Sequence, residues 1–144
     1  MTTIFWHMGL TVADLAKSVE FYRDVVGMDE GEHMQSANAQ FATLVNNPQA
    51  RLDTVFMTLG GFTLQLLEYL AGGGTALALD HNNTGSPHLS FFVPDIEATH
   101  RTVAASGDVA ITSAIVTNAR ATIRSFYVKD PDGMPVEFVE RLTG

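Results

Sequence analysis

The 144-residue chain contains no cysteine. That absence removes disulfide frameworks, thiolate nucleophiles and the cysteine type of zinc site, and leaves His, Asp, Glu and Gln as the side chains able to hold a metal. Basic residues are scarce as well. Eight Lys and Arg stand against 16 Asp and Glu, a formal charge of −8, which disfavours nucleic acid and anionic membrane surfaces as partners through bulk repulsion. No uninterrupted apolar run reaches the length that crosses a bilayer. The opening residues, Met1 to His7, lack a basic stretch, an apolar core and a small-residue cleavage site, so a cytoplasmic protein without a secretion signal is expected. No charge block or low-complexity tract marks a further domain. With 46% apolar residues the chain can fill a core, and residues 1–144 are expected to form one domain.

What the sequence does contain is a repeat. His7-Met8-Gly9-Leu10-Thr11-Val12-Ala13-Asp14-Leu15 recurs at a shift of 81 as His88-Leu89-Ser90-Phe91-Phe92-Val93-Pro94-Asp95-Ile96. Near the end of each copy a glycine precedes, by four residues, a polar side chain inside an apolar run: Gly61 then Gln65, Gly133 then Glu137. Self-similarity at this period indicates two copies of one supersecondary unit. Duplication pairs His7 with His88 and Gln65 with Glu137, and equivalent strands can aim these four donors at a common centre. The half-modules are placed at about 1–70 and 88–144, joined at about 71–87 by a linker made of Gly72-Gly73-Gly74, an apolar patch and the turn-forming stretch Asp80 to Pro87, which can also act as a lid.

Each half reads as strand, helix, then further strands. Ile4 to Val12 is β-branched and aromatic, and Asp14 is a candidate N-cap for a helix with an apolar stripe at Leu15, Val19, Tyr22 and Val26, stopped by Gly27. Leu89 to Val93, the entrance at Pro94-Asp95, the stripe residues Ile96 and Val103 and the stop at Gly107 repeat the design. Strands are expected at Gln40–Val45, Val55–Leu59 and Phe62–Tyr69, then at Ala110–Thr117, Thr122–Val128 and Pro135–Arg141. The fold class is therefore α+β, with paired βαβββ modules. His7 to Gln65 spans 58 residues and His88 to Glu137 spans 49, and the nine extra are assigned to the turn-forming stretch Asn46–Arg51. A three-residue step reverses the face of a strand, so Glu68 and Glu140 are expected to point away from Gln65 and Glu137.

Other residues have bland alternatives. His33, His81 and His100 have no duplicate and suit surface or loop roles, although His81, in the linker, can face a pocket. Trp6, Tyr69, Phe126 and Tyr127 are expected mainly in the core, with one or two lining an apolar cup. Arg120 and Arg124 could form a local basic pocket for an anionic substrate. Asp130-Pro131-Asp132-Gly133 is a turn by its chemistry.

A strand histidine before Val-x-Asp-Leu, then Glu20-Phe21-Tyr22, a second strand histidine before Val-x-Asp-Ile, and Asp130-Pro131-Asp132-Gly133-Met134-Pro135-Val136-Glu137 at the end together resemble the vicinal oxygen chelate superfamily. That group includes glyoxalase I, methylmalonyl-CoA epimerase, fosfomycin-resistance transferases, extradiol dioxygenases and metal-free drug-binding resistance proteins. The resemblance implies a cupped sheet with outer helices over a divalent ion (Fe, Mn, Co, Ni or Zn), often completed in a homodimer. Its ligands would be His7, Gln65, His88 and Glu137, a set similar to that of the epimerase and glyoxalase I, with Glu137 or a water it orients moving a proton. Candidate substrate-binding residues are Asp53, Tyr69, His81, Arg124 and Tyr127. The implied activity is lyase or isomerase chemistry on a small oxygenated substrate through a metal-stabilised oxyanion. The epimerases place a second carboxylate where this chain has Thr54, which speaks against a two-base mechanism. The alternatives are an Fe(II) extradiol dioxygenase, using His7, His88 and Glu137 alone, and a metal-free resistance protein.

Overall fold

The computed structural model describes residues 1–142. The chain divides into two compact units, Met1–Ala76 and a second that begins at Leu77.

In the first unit, strand β1 (Met8–Val12) leads into helix α1 (Leu15–Glu20), which widens into a π-helical stretch, Phe21–Val26. The Asp14 side chain accepts from the Lys17 amide at 3.1 Å, the expected N-cap, and Gly27 ends the helix at φ 86°, where a Cβ would be strained. Widening the last turns buries Phe21 and Tyr22 together and leaves Val26 only partly covered. Strands β2 (Asp29–Ser36), β3 (Arg51–Leu59) and β4 (Phe62–Ala71) complete a four-stranded sheet in the order β1-β4-β3-β2, with β1 parallel to β4 and the other pairs antiparallel. Helix α1 packs on β3 and β4 over Val55, Met57, Leu64 and Leu66, all fully buried. Each such side chain contributes about 1.5–3 kcal/mol by leaving water.

The second unit repeats the plan. Strand β5 (Leu89–Phe92) precedes helix α3 (Ile96–Ser106), whose Asp95 cap accepts from Ala98 at 2.8 Å and whose stop, Gly107, has φ 77°. Strands β6 (Ala110–Ile111), β7 (Val116–Thr117), β8 (Ile123–Lys129) and β9 (Pro135–Arg141) follow, ordered β5-β9-β8-β6 with β7 also on β8. Phe126, Val128, Val136 and Phe138 form the core beneath α3. Both units are mixed sheets with few helices, an α+β fold.

Strand β1 starts at Met8 rather than Ile4, the single strand expected at Ala110–Thr117 is broken into β6 and β7, and two further elements differ from expectation. Gln40–Val45 is not a strand: Ala39–Leu44 forms a short helix, α2, capped by Asn38, which accepts from Phe41 at 2.8 Å. The missing strand is β2, whose residues Asp29–Gln35 are all exposed. A sheet-edge strand needs only its backbone pairing with β3, so it carries no alternating apolar signal. The extra length of the first half lies in residues 37–50 between β2 and β3, which take in Asn46 to Ala50 of the assigned stretch and begin farther upstream, where the second half crosses with residues 118–122.

Candidate functional site

The duplication extends to strand register. In the parallel pair β1/β4, Gly9 stands opposite Gln65; in β5/β9, Ser90 stands opposite Glu137. Gly9 and Ser90 are themselves related by the shift of 81. His7 and His88 precede them by two residues and so share the face of Gln65 and of Glu137 respectively. On the next strands Phe56 lies across from Gln65 and Tyr127 across from Glu137. Each unit thus places one imidazole, one side-chain oxygen donor and one aromatic ring on the sheet face away from its helix.

In the first unit Phe56 and Trp6 wall the imidazole of His7, edge-on, with ring centroids 5.5 and 4.4 Å away. The Nδ1 of His7 is buried without a hydrogen-bond partner among the described residues. Trp6 does not enter the core: it is 73% exposed and packs against the histidine instead. Tyr69 lies on the Gln65 face, half-buried, two pairs farther along β4.

In the second unit the Ser90 hydroxyl donates to Oε2 of Glu137 at 2.8 Å. The phenol of Tyr127 is pushed above its ordinary pKa, chiefly by burial and further by the charge of Glu137 and a hydrogen bond with it. His81 reaches this face from the loop before β5: its ring meets Tyr127 edge-on at 4.6 Å and lies 5.8 Å from His88. An open cavity of about 400 Å³ adjoins them, lined by Leu79, Asp80, His81, Tyr127, Lys129 and Pro135, with Thr112 and Ser113 at its wall. Lys129 Nζ is 3.5 Å from Asp80.

Other sequence candidates lie elsewhere. Asp53 pairs across the strands with Glu68, on the helix-bearing face opposite Gln65. Arg124 lies on the helix side of its sheet, engaged by Glu97 of α3 and by Glu140 at 3.4 Å. Its guanidinium is held above its usual pKa, and Glu97 below, first by their mutual hydrogen bond. That placement sets Arg124 apart from Glu137, because a one-face sheet position cannot serve both sides. Glu68 and Glu140 do point away from Gln65 and Glu137: Glu68 Oε2 accepts from the Leu15 amide at 2.9 Å. His33 binds Glu30 at 2.9 Å, and His100 packs edge-on to Phe126. Two residues of these faces escaped sequence reasoning, Ser90 and Phe56. Ser90 was legible in principle, as the position aligned with Gly9.

The donors fit a divalent ion in kind. Imidazole nitrogen, carboxylate and amide oxygen suit borderline and hard metals, and the buried Nδ1 of His7 has no hydrogen-bond partner among the described residues. Within either unit no three described His, Asp or Glu side chains gather where one ion would fit, so each half offers a pair. Two donors fall short of the four or more such ions take.

No helix among the described residues is long and apolar enough to cross a membrane. A sequence model of the Glyoxalase/Bleomycin resistance protein/Dioxygenase superfamily matches residues 4–138. The lactoylglutathione lyase of Haemophilus influenzae is 31% identical over 143 residues, covering 93% of this chain and 90% of the relative. A glyoxalase family protein from Bacillus cereus has a TM-score of 0.87 at 15% identity, over 99% of this chain and 97% of its own. A fosfomycin resistance protein from Listeria monocytogenes, complexed with Mn(II) and sulfate, has a TM-score of 0.65 at 19% identity, over 99% and 95%. At such identities the structural likeness speaks for the fold, while the sequence matches run through nearly the whole chain. This protein therefore belongs to the Glyoxalase/Bleomycin resistance protein/Dioxygenase superfamily.

Proposed function

We propose that this protein is a divalent-metal-dependent lyase or isomerase acting on a small substrate with adjacent oxygens, a reading supported by its likeness to a lactoylglutathione lyase. His7 and Gln65 of the first repeat and His88 and Glu137 of the second are the residues that would hold the ion. The observation that carries this reading is the repeated register, Gly9 opposite Gln65 and Ser90 opposite Glu137, with a histidine two residues before each.

A bound divalent ion would polarise the substrate oxygens and stabilise charge developing on them, worth several kcal/mol, or roughly three to five decades in rate. Gln65 is neutral, so the donor set carries only the charge of Glu137 and leaves the site attractive to an oxyanion. Glu137 takes the proton from the carbon beside the carbonyl and returns it to the adjacent one. Thr54 offers no second base, because its hydroxyl donates to the Met34 carbonyl at 3.2 Å; this favours one-base isomerisation over epimerisation. Tyr69, His81 and Tyr127 contact the substrate. Asp53 and Arg124, on the helix-bearing faces, are left out of that role.

Protein purified without chelators is expected to carry stoichiometric divalent metal, and His7→Ala and His88→Ala each to lose it. Thioester formation from a 2-oxoaldehyde and a thiol is the first activity to measure. Retained metal in either variant, or oxygen uptake with catechols in place of isomerisation, overturns the proposal. The assembly is read as a homodimer, and mixed His7→Ala and His88→Ala chains regain activity if the two pairs come from different subunits.

A further inference from the structure

The two modules treat their oxygen donors differently. Around Gln65 the equivalent neighbours are Gly9 and Phe56, neither of which has a polar side-chain atom. Around Glu137 they are Ser90 and Tyr127, both hydroxyl-bearing. Lack of room for a Cβ does not explain the difference. A Cβ built at Gly9 would meet only Leu67 Cδ1 at 3.6 Å and Gln65 Oε1 at 4.0 Å, ordinary contacts, so the backbone there does not by itself demand a glycine.

We infer that Ser90 is a positioning residue for Glu137, its hydroxyl holding Oε2 at 2.8 Å and so orienting the carboxylate that would meet the metal and the substrate. This rests on the proposed metal role of Glu137. A glutamate has three side-chain torsions, and fixing one oxygen removes most of the freedom its carboxylate would otherwise lose on binding an ion. Partners of this kind orient a ligand and raise its affinity, and removing one typically costs about 10- to 100-fold in metal binding. Gln65, without such a brace, would serve as the less constrained donor. The two modules would then differ in role: the second would orient Glu137 for the ion and the proton, and the first would complete the donor set.

The test titrates metal-free protein with Mn(II) alone, by equilibrium dialysis, comparing wild type with Ser90→Ala, Ser90→Thr and Ser90→Val. Thr and Val are nearly isosteric, so any effect on folding cancels between them and the hydroxyl alone remains. Ser90→Ala and Ser90→Val are expected to weaken Mn(II) binding by about 10- to 100-fold, and Ser90→Thr to stay within about threefold of wild type. Equal binding by all four proteins overturns the role of Ser90 while leaving the metal reading intact. Wild type that binds no Mn(II), and is matched by Glu137→Ala, overturns the metal reading and this inference with it.

Discussion

The carboxylate of Glu68 accepts a hydrogen bond from the backbone amide of Leu15, 2.9 Å away, tying the far end of β4 to the first turn of α1. The link marks how the sheet is faced. Glu68 lies three residues beyond Gln65, so with Glu68, like the buried Leu64 and Leu66, on the helix side, Gln65 lies on the opposite surface with His7. Removing the acceptor strands a partly buried helix amide. Glu68→Ala is expected to lower unfolding stability by about 1–2 kcal/mol, and Glu68→Gln, which keeps an acceptor, by about half as much. Denaturant titration measures both, and metal content is expected to stay at the wild-type level.

Arg124 anchors the same face of the second unit, and its pairing predicts a pH dependence. Glu97 is held below the usual carboxylate range by its hydrogen bond from Arg124. A carboxylate depressed in the folded state favours folding above its unfolded pKa, and that advantage is lost as pH falls through the folded value. The stability gap between wild type and Arg124→Gln is therefore expected to be present at neutral pH and to close below about pH 4. Glu97 is well exposed, so the gap is small and shrinks with salt. Thermal melts across pH and ionic strength check the sign. A gap that widens on acidification contradicts it.

These two residues also mark what the sequence could and could not disclose. The helix caps Asp14 and Asp95, the stops Gly27 and Gly107 and the pairing of Gln65 with Glu137 were legible because each is set by local chemistry repeated at a fixed shift. Strand β2 was not, since an exposed edge strand carries no alternation of apolar residues, and Gln40–Val45 reads as a strand because Phe41, Thr43 and Val45 alternate there, a pattern that masks the Asn38 cap. Arg124 looked like a substrate cation because its charge is visible in the sequence. Its partners are not: Glu97 and Glu140 come to it from a helix and a neighbouring strand. Ser90 and Phe56 were overlooked because a hydroxyl or a ring on a strand has no meaning until register places it opposite a carboxylate or an amide.

Asp53 supplies a stabilising substitution. It sits directly across from Glu68, with its Oδ1 buried and unpartnered among the described residues. Like charges opposite one another on a sheet are unfavourable, and a buried oxygen without a donor is costly. Asp53→Asn removes the repulsion and supplies a donor toward Glu68. An increase of about 0.5–1 kcal/mol in unfolding stability is expected, with metal binding unaltered because the site face is untouched. Loss of stability would mean that the carboxylate of Asp53 has a use that the fold does not reveal.

Coupling between His7 and His88 decides whether the repeated pairs serve one ion or two. Each single alanine variant is expected to weaken Mn(II) binding by at least about 100-fold, more than loss of an orienting partner costs. Ligands of one ion act as a unit, so the double variant is expected to be little worse than either single one, whereas independent sites would show additive losses in free energy and half the stoichiometry in each single variant. Metal-free wild type is also expected to melt below the loaded protein, by an amount that grows with free Mn(II), and that increment is expected to vanish in both variants. A His7→Ala protein that keeps a metal-dependent rise in melting temperature would assign the ion to the second module alone, and with it the whole case for a shared site would fall.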